Sequence, residues 1–336
     1  IICMEDLEKL ARLVRYYCLL TTSTAGSGHL TSSLSATDLM VTLMFGGFFK
    51  YDVRNPDFPN NDRLIFSKGH ASALFYGLWA AAGQVTENEL LSYRKFGSAL
   101  EGHPSMEFKF TEAPTGSLGQ GLSIGIGMAL AAKMDKHNFK TFVLLGDSEM
   151  AEGQVWEAIE LASFYNLNNL IGIIDVNKFG QSRETMLGWD VKAYQKRLQA
   201  FGWETIVIGG HDLADISHAF STALSSHSRP TMIIAKTLKG KGIKSMENKD
   251  GFHAKVLPYE LMGKAVEDLG EFDKNLRGFV AKPDPLNDEI YANSKIPVSH
   301  VAEPRFYNAD IGKSRVAESQ EEIKVATRTG FGKILT

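Results

Sequence analysis

A doubly wound α/β fold, with a mostly parallel sheet flanked by helices, is the architecture the sequence predicts. Three observations carry this. Five short apolar runs, near residues 64, 143, 172, 206 and 233, alternate with stretches of helical apolar spacing. Several of these runs stop at polar turns, with a helix-patterned stretch close behind. No internal repeat or low-complexity tract points to a repetitive architecture instead.

Composition supports a large packed core. The chain has 336 residues, 44% hydrophobic and 22% charged. A formal net charge of −3 offers no general attraction to nucleic acid or an anionic membrane. No apolar run reaches the length of a membrane span. Cys3 and Cys18 lack CxxC spacing, which argues against a disulfide framework and a structural zinc site, and both read as small buried hydrophobes. The opening Ile1-Ile-Cys-Met-Glu5 lacks the order of a signal peptide, so a cytoplasmic location is expected.

In chain order, Leu7, Leu10, Leu13, Val14 and Tyr17 predict a helix over Glu5 to Leu20. Thr21 to Ser33 reads as a polar loop in which His29 either connects helices or faces a ligand. Ser35 or Thr37 is the expected cap of a helix running towards Phe45. Asn55 to Asp62 is rich in turn formers and leads into a strand, Arg63 to Phe66. Ser67-Lys-Gly-His70 follows, then a helix from Ala71 to Ala82, so His70 either caps the helix or donates to an anion there. His103 sits in a second Gly-His loop. Thr115 to Gly121 is glycine-rich and enters a helix, Leu122 to Lys133, whose small residues permit close packing. That loop is neither a Walker A nor a dinucleotide fingerprint.

Thr141 to Asn177 is the centre of the chain. Strand Thr141–Leu145 breaks at Gly146-Asp147-Ser148, a helix follows from Gly153 to Tyr165, and a second strand, Leu170–Ile174, ends at Asp175-Val176-Asn177. Asp147 and Asn177 carry oxygens suited to Mg²⁺ or Ca²⁺. The stretch by itself fits a metal-phosphate site or an ordinary buried βαβ unit. Further on come a polar loop at Lys178–Arg183, a helix at Val191–Phe201, a strand at Glu204–Ile208, a helix capped by Asp212, and a strand at Thr231–Ala235. The basic glycine loop Lys236–Gly242 and Asp250-Gly-Phe-His253 follow. Residues 1–270 read as one domain, 271–318 as a linker, and 319–336, where helical spacing returns, as the start of another domain.

The strand and loop ends together carry His29, His70, His103, Asp147, Asn177, Lys239 and His253. Such groups hydrogen-bond and move protons near neutral pH, which suits a polyhydroxylated or phosphorylated substrate. No histidine has HExxH spacing, so none is read as a metal ligand.

At this point the residues acquire a resemblance. Gly146-Asp147-Ser148 with Asn177 thirty residues beyond the Asp resembles the thiamine diphosphate motif. Glu149-Met-Ala-Glu152-Gly-Gln-Val-Trp156, Ser27-Gly-His29, Lys68-Gly-His70, Gly102-His103-Pro104, Thr115–Gly121 and Lys239-Gly-Lys-Gly242 are similar to the N-terminal, diphosphate-binding domain of the transketolase family, and the last segment looks like its animal-type branch. The resemblance covers about Glu5 to Pro258. It implies transfer of a two-carbon ketol unit between sugar phosphates, a pentose phosphate pathway reaction, with thiamine diphosphate and Mg²⁺ or Ca²⁺. Asp147, Asn177 and the Phe179 carbonyl would hold the metal. His70, the Ser148 N–H and Lys239 would meet the diphosphate, and Gly116 and Leu118 would line the aminopyrimidine. His29, Ser32, His103 and His253 would face the sugar, with His29, His103 and His253 moving protons. Glu152 would lie at a subunit contact.

Two departures stand out. Ser148 replaces the usual second glycine of the motif, and the glutamate that activates the aminopyrimidine in this family comes from a following domain. The implied partner is a second copy of the chain or a pyrimidine-domain chain, as a homodimer or an α2β2 assembly. Rival readings are another thiamine diphosphate carboligase, similar to deoxyxylulose phosphate or dihydroxyacetone synthase, and a catalytically silent dimerising paralogue.

Overall fold

Strands β1 (Arg63–Phe66), β2 (Thr141–Gly146), β3 (Leu170–Val176), β4 (Glu204–Gly209) and β5 (Thr231–Lys236) form one parallel sheet in the order β1-β2-β3-β5-β4. The structure is a computed structural model that describes residues 3–286. β2 and β3 are buried along their whole length, as expected of central strands covered on both faces. β4 lies at an edge and is partly exposed.

The helices are α1 (Met4–Ala25), α2 (Leu30–Ser35), α3 (Thr37–Phe45), α4 (Ser72–Ala81), α5 (Glu87–Leu90), α6 (Gln120–Met134), α7 (Gly153–Phe164), α8 (Val191–Ala200), α9 (Leu213–Leu224) and α10 (Met262–Leu269). Side chains alternate across the sheet with a period of two. Phe142, Leu144, Ile171, Ile173, Ile233 and Ala235 enter one apolar cluster with α1, α3, α4 and α9. Val143, Leu145, Leu170, Ile174, Met232 and Ile234 enter the other with α6, α7 and α8. The sheet is therefore doubly wound. Because all five strands run the same way, the turns after them share one edge, and the expected site residues Asp147, Asn177 and Lys239 follow β2, β3 and β5 there.

The structure corrects several local expectations. Thr21 to Ser33 is not one polar loop. α1 continues to Ala25 because the Thr21 and Thr22 hydroxyls donate to the Tyr17 and Cys18 carbonyls (2.5 and 2.8 Å), keeping two polar side chains inside a buried helix. Gly26, at φ 60°, ends it, and α2 starts only four residues later. Neither Ser35 nor Thr37 caps α3. The Ser35 hydroxyl donates to Asp175 (2.5 Å) and that of Thr37 to the Ser33 carbonyl (2.9 Å). Cys18 is buried, but Cys3 is exposed. Asp212 caps α9 as expected, accepting from the Ala214 and Asp215 N–H groups.

Residues 271–286, expected in the linker, lie against the domain. Phe272 packs on Tyr16 with ring centroids 4.9 Å apart, and the Tyr51 N–H donates to the Ala281 carbonyl at 2.7 Å. The remainder of the expected linker and the helical spacing at 319–336 lie outside the described residues. Among the described residues no helix is long and apolar enough to cross a membrane.

Candidate functional site

The β2 and β3 ends are joined through Asp147. Its carboxylate accepts from the Ser148 N–H (2.8 Å) and the Lys178 N–H (2.7 Å), and no side-chain cation among the described residues bonds to it. Burial, then the nearby Asp175 carboxylate, pushes its pKa up to about 7. The Asn177 side-chain oxygen accepts from the Phe179 N–H (3.2 Å). The Phe179 carbonyl accepts from Lys239 Nζ (2.8 Å), which also reaches the Gly180 carbonyl (3.2 Å) and His253 Nδ1 (2.9 Å). One carboxylate, one amide and one carbonyl are thus presented at neighbouring turns. A buried acid that lacks a cation suits a hard divalent ion. No group of three His, Cys, Asp or Glu side chains forms a metal site among the described residues, so an oxygen set of this mixed kind is what is on offer. A cavity of about 290 Å³ opens beside Asp147 and Ser148, against the loop at residues 180–187. Ser148 has φ −69° and ψ −29°, ordinary right-handed values, so a side chain is accommodated there without backbone strain.

Two buried acids to which the resemblance assigned no role, Asp175 and Glu149, organise the floor of the site. Asp175 is fully buried and accepts from Lys68 Nζ (2.5 Å), Ser35 Oγ (2.5 Å), Asn177 Nδ2 (3.1 Å) and Thr237 Oγ1. Burial pushes its pKa up, but the Lys68 ammonium outweighs this and holds the carboxyl below its usual range. Glu149 accepts from the Gly119 N–H (2.8 Å), the Gly146 N–H (2.9 Å) and Ser67 Oγ, tying the glycine-rich loop to the β1 and β2 ends. The signal available in the sequence is a charged residue inside an apolar strand, Asp175, and a lysine beside a Gly-His pair, Lys68.

Four imidazoles gather beside these turns. His29 lies 5.0 Å from His70, 5.0 Å from His253 and 6.3 Å from His103, between ring centroids, and His70 lies 5.0 Å from His253. Their four loops are far apart in sequence, so the tertiary fold alone brings them together. Burial, followed by the proximity of His103 and Arg94, lowers His29 to about 4. Burial and Lys239 lower His253 to about 3. Burial also lowers His70, with Lys68 next, and His103, with Arg94 next. In all four the shift favours the neutral imidazole. His29 Nδ1 is buried without a hydrogen-bond partner. His253 Nδ1 accepts from the Lys239 ammonium, which has no acceptor to offer, so its proton sits on Nε2.

The other expected site residues are placed less centrally. Gly116, at φ 151°, leaves room for His103, whose ring carbon would be 3.2 Å from a Cβ there. The Leu118 carbonyl accepts from Gln154 Nε2 (2.8 Å). Ser32 is buried, and its carbonyl accepts from Lys68 (3.1 Å). Glu152 is exposed at the start of α7.

Residues 7–284 match the family model described as the transketolase, thiamine diphosphate binding domain. The chain is 38% identical over 333 residues to a transketolase of Homo sapiens, covering 99% of this chain and 50% of that protein. It is 36% identical over 247 residues to an apulose-4-phosphate transketolase subunit of Phocaeicola vulgatus, covering 74% of this chain and 88% of that protein. A transketolase crystal structure from Campylobacter jejuni superposes with a TM-score of 0.75 at 33% identity, over 83% of this chain and 45% of that one. The chain therefore spans about half the length of the animal transketolases it matches.

Proposed function

The chain belongs to the transketolase family and carries its thiamine diphosphate-binding domain, and from that premise we propose that it supplies the diphosphate and metal half of a ketol-transferring site. The reaction would move a two-carbon unit from a ketose phosphate to an aldose phosphate. The gathering of four imidazoles beside the Asp147–Asn177 turns is the observation that supports this reading most. Thiamine diphosphate, when bound, supplies the carbanion chemistry.

The chain's own residues then bind, orient and exchange protons. Asp147, the Asn177 amide oxygen and the Phe179 carbonyl would hold Mg²⁺ or Ca²⁺. His70, the Ser148 N–H and Lys239 would meet the diphosphate, with Gly116 and Leu118 beside the aminopyrimidine. Neutral imidazoles can accept a hydroxyl proton on one nitrogen while donating from the other. His29 would face a sugar hydroxyl beside His253, whose Nε2–H would donate to one. His103 would share this proton traffic, and Ser32 would bound the sugar pocket. A second copy or a pyrimidine-domain chain would complete the site, with Glu152 at the contact, in a cytoplasmic homodimer or α2β2 assembly.

The test is a ketol-transfer assay with the completing domain supplied and cofactor binding followed separately. Transfer from a ketose phosphate is the expected result. Bound cofactor with no transfer would sink the proposal.

A further inference from the structure

Taking the proposed contact of Lys239 with the diphosphate as its basis, we propose that His211 is a positioning residue, which sets the backbone that presents Lys239 and so governs the grip on thiamine diphosphate. His211 stands outside the imidazole cluster, in the turn between β4 and α9. Two hydrogen bonds fix its ring. Nε2 accepts from the Leu238 N–H (2.8 Å), one residue before Lys239, so the ring proton sits on Nδ1 and is donated to Asp38 (2.7 Å). Leu238 lies beyond the end of β5 at Lys236, so its N–H takes its acceptor from a side chain rather than from the sheet.

Asp38 is itself held from behind. It is buried in α3, and Arg15 of α1 grips it with two parallel hydrogen bonds (2.8 and 2.6 Å). Burial pushes the Asp38 carboxyl up, but Arg15 and then His211 outweigh this and hold it well below its usual range. A lasting carboxylate therefore orients the imidazole, and the imidazole orients a backbone N–H.

This relay joins α1, α3, the β4–α9 turn and the loop after β5. Gly210 allows it to close, because a Cβ there would collide with the Thr237 methyl and force the turn off the loop that His211 must reach. Beyond Lys239, the Gly240 N–H donates to the Thr31 carbonyl (3.0 Å). Arg15 also lies against Gly242, where a Cβ would be 3.3 Å from its Cδ. Lys239 is thus pinned through its backbone on both sides, and its side chain delivers the ammonium to the Phe179 and Gly180 carbonyls and to His253.

Two variants in the completed assembly separate the two bonds of the ring. Glutamine places an acceptor near Nε2 and keeps the Leu238 bond, whereas asparagine reaches only Asp38. Both leave Asp38 paired with Arg15, so neither strands a buried charge. With Mg²⁺ saturating, His211→Asn should weaken thiamine diphosphate binding on the order of tenfold, the size of a lost hydrogen bond, and His211→Gln by less than about threefold. A double-mutant cycle with Lys239→Ala tests the route. Once Lys239 is gone, His211→Asn should weaken binding less than about twofold further, whereas a merely structural histidine would add its full effect. Equal weakening by both His211 variants, no weakening by His211→Asn, or additivity with Lys239→Ala overturns the inference. Nitrogen-15 NMR of the histidine-labelled wild type gives a readout that depends on no variant's folding. The His211 ring should carry its proton on Nδ1 alone, and a proton on Nε2 overturns the inference equally. A wild type that binds no thiamine diphosphate, or a Lys239→Ala that binds it undiminished, overturns instead the proposed diphosphate contact on which the inference rests.

Discussion

Asp147 and Asp175 are buried carboxylates at the ends of adjacent strands, and they differ in how their charge is met. Asp175 has Lys68, whereas Asp147 has only backbone N–H donors and a pKa raised to about 7 from 3.8. Between those values the unfolded chain is ionised while the folded one holds the proton, so Asp147 lowers the stability of the metal-free protein as pH rises towards 7. A metal needs the carboxylate, so protons compete with it below about pH 7. Calorimetric titration with Mg²⁺ should show affinity falling about tenfold per unit below that pH. Asp147→Asn should lose both the binding and its pH dependence, whereas a flat wild-type profile would count against the assignment. Lys68→Met removes the partner of a fully buried acid and should destabilise the fold by about 3–5 kcal/mol, read as a shifted urea midpoint at constant slope. Ser148→Gly should change stability by less than about 1 kcal/mol, because the backbone there is unstrained in either case.

Helix α6 shows why its small residues are present. A Cβ at Gly121 would stand 2.5 Å from Ser67, and one at Gly125 would stand 2.6 Å from a Val143 methyl. These glycines let the helix lie close on β1 and β2. Gly127 faces open space. Gly125→Ala should therefore destabilise the chain by about 1–3 kcal/mol through overpacking. Gly127→Ala should stabilise it by up to about 1 kcal/mol through helix propensity. Thermal or urea unfolding of the two variants checks the contrast, and equal effects would mean that the close approach is not what glycine provides. The same local logic explains α1, where hydroxyl groups bond back to carbonyls and allow Thr21 and Thr22 into a buried helix.

At the scale of the molecule, one parallel sheet edge collects groups that are ordinary when taken singly. Four half-buried imidazoles share it, with His29 lowered to about 4 and His253 to about 3. The sign is the reverse of that for a salt-bridged histidine. As pH falls through about 6.5 the unfolded chain takes up protons that the folded one refuses, so stability is lost towards pH 4. Denaturation of the wild type and His29→Gln at several pH values should show the wild type losing ground over that window and the difference levelling above about 6.5. A difference independent of pH would show that His29 is not held neutral by the fold.

Much of this is legible in the sequence. Five apolar runs become five strands within a residue or two, since alternation and run length are local properties. The polar groups behind those strands are legible too, because residue types such as His29, His70, Asp147 and Asn177 declare their chemistry wherever they stand. Their roles in the family rest on motif resemblance rather than on periodicity. Partnerships are not legible. Lys68 and Asp175 are 107 residues apart, and the glycine loop at Gly119 is held by Glu149 from the other side of β2. The sequence alone determined which elements form and which chemical groups are available. Only the tertiary structure decided which acids are paired and which imidazoles are pushed towards the neutral form, because burial and charge pairing depend on segments that meet only when the crossovers close.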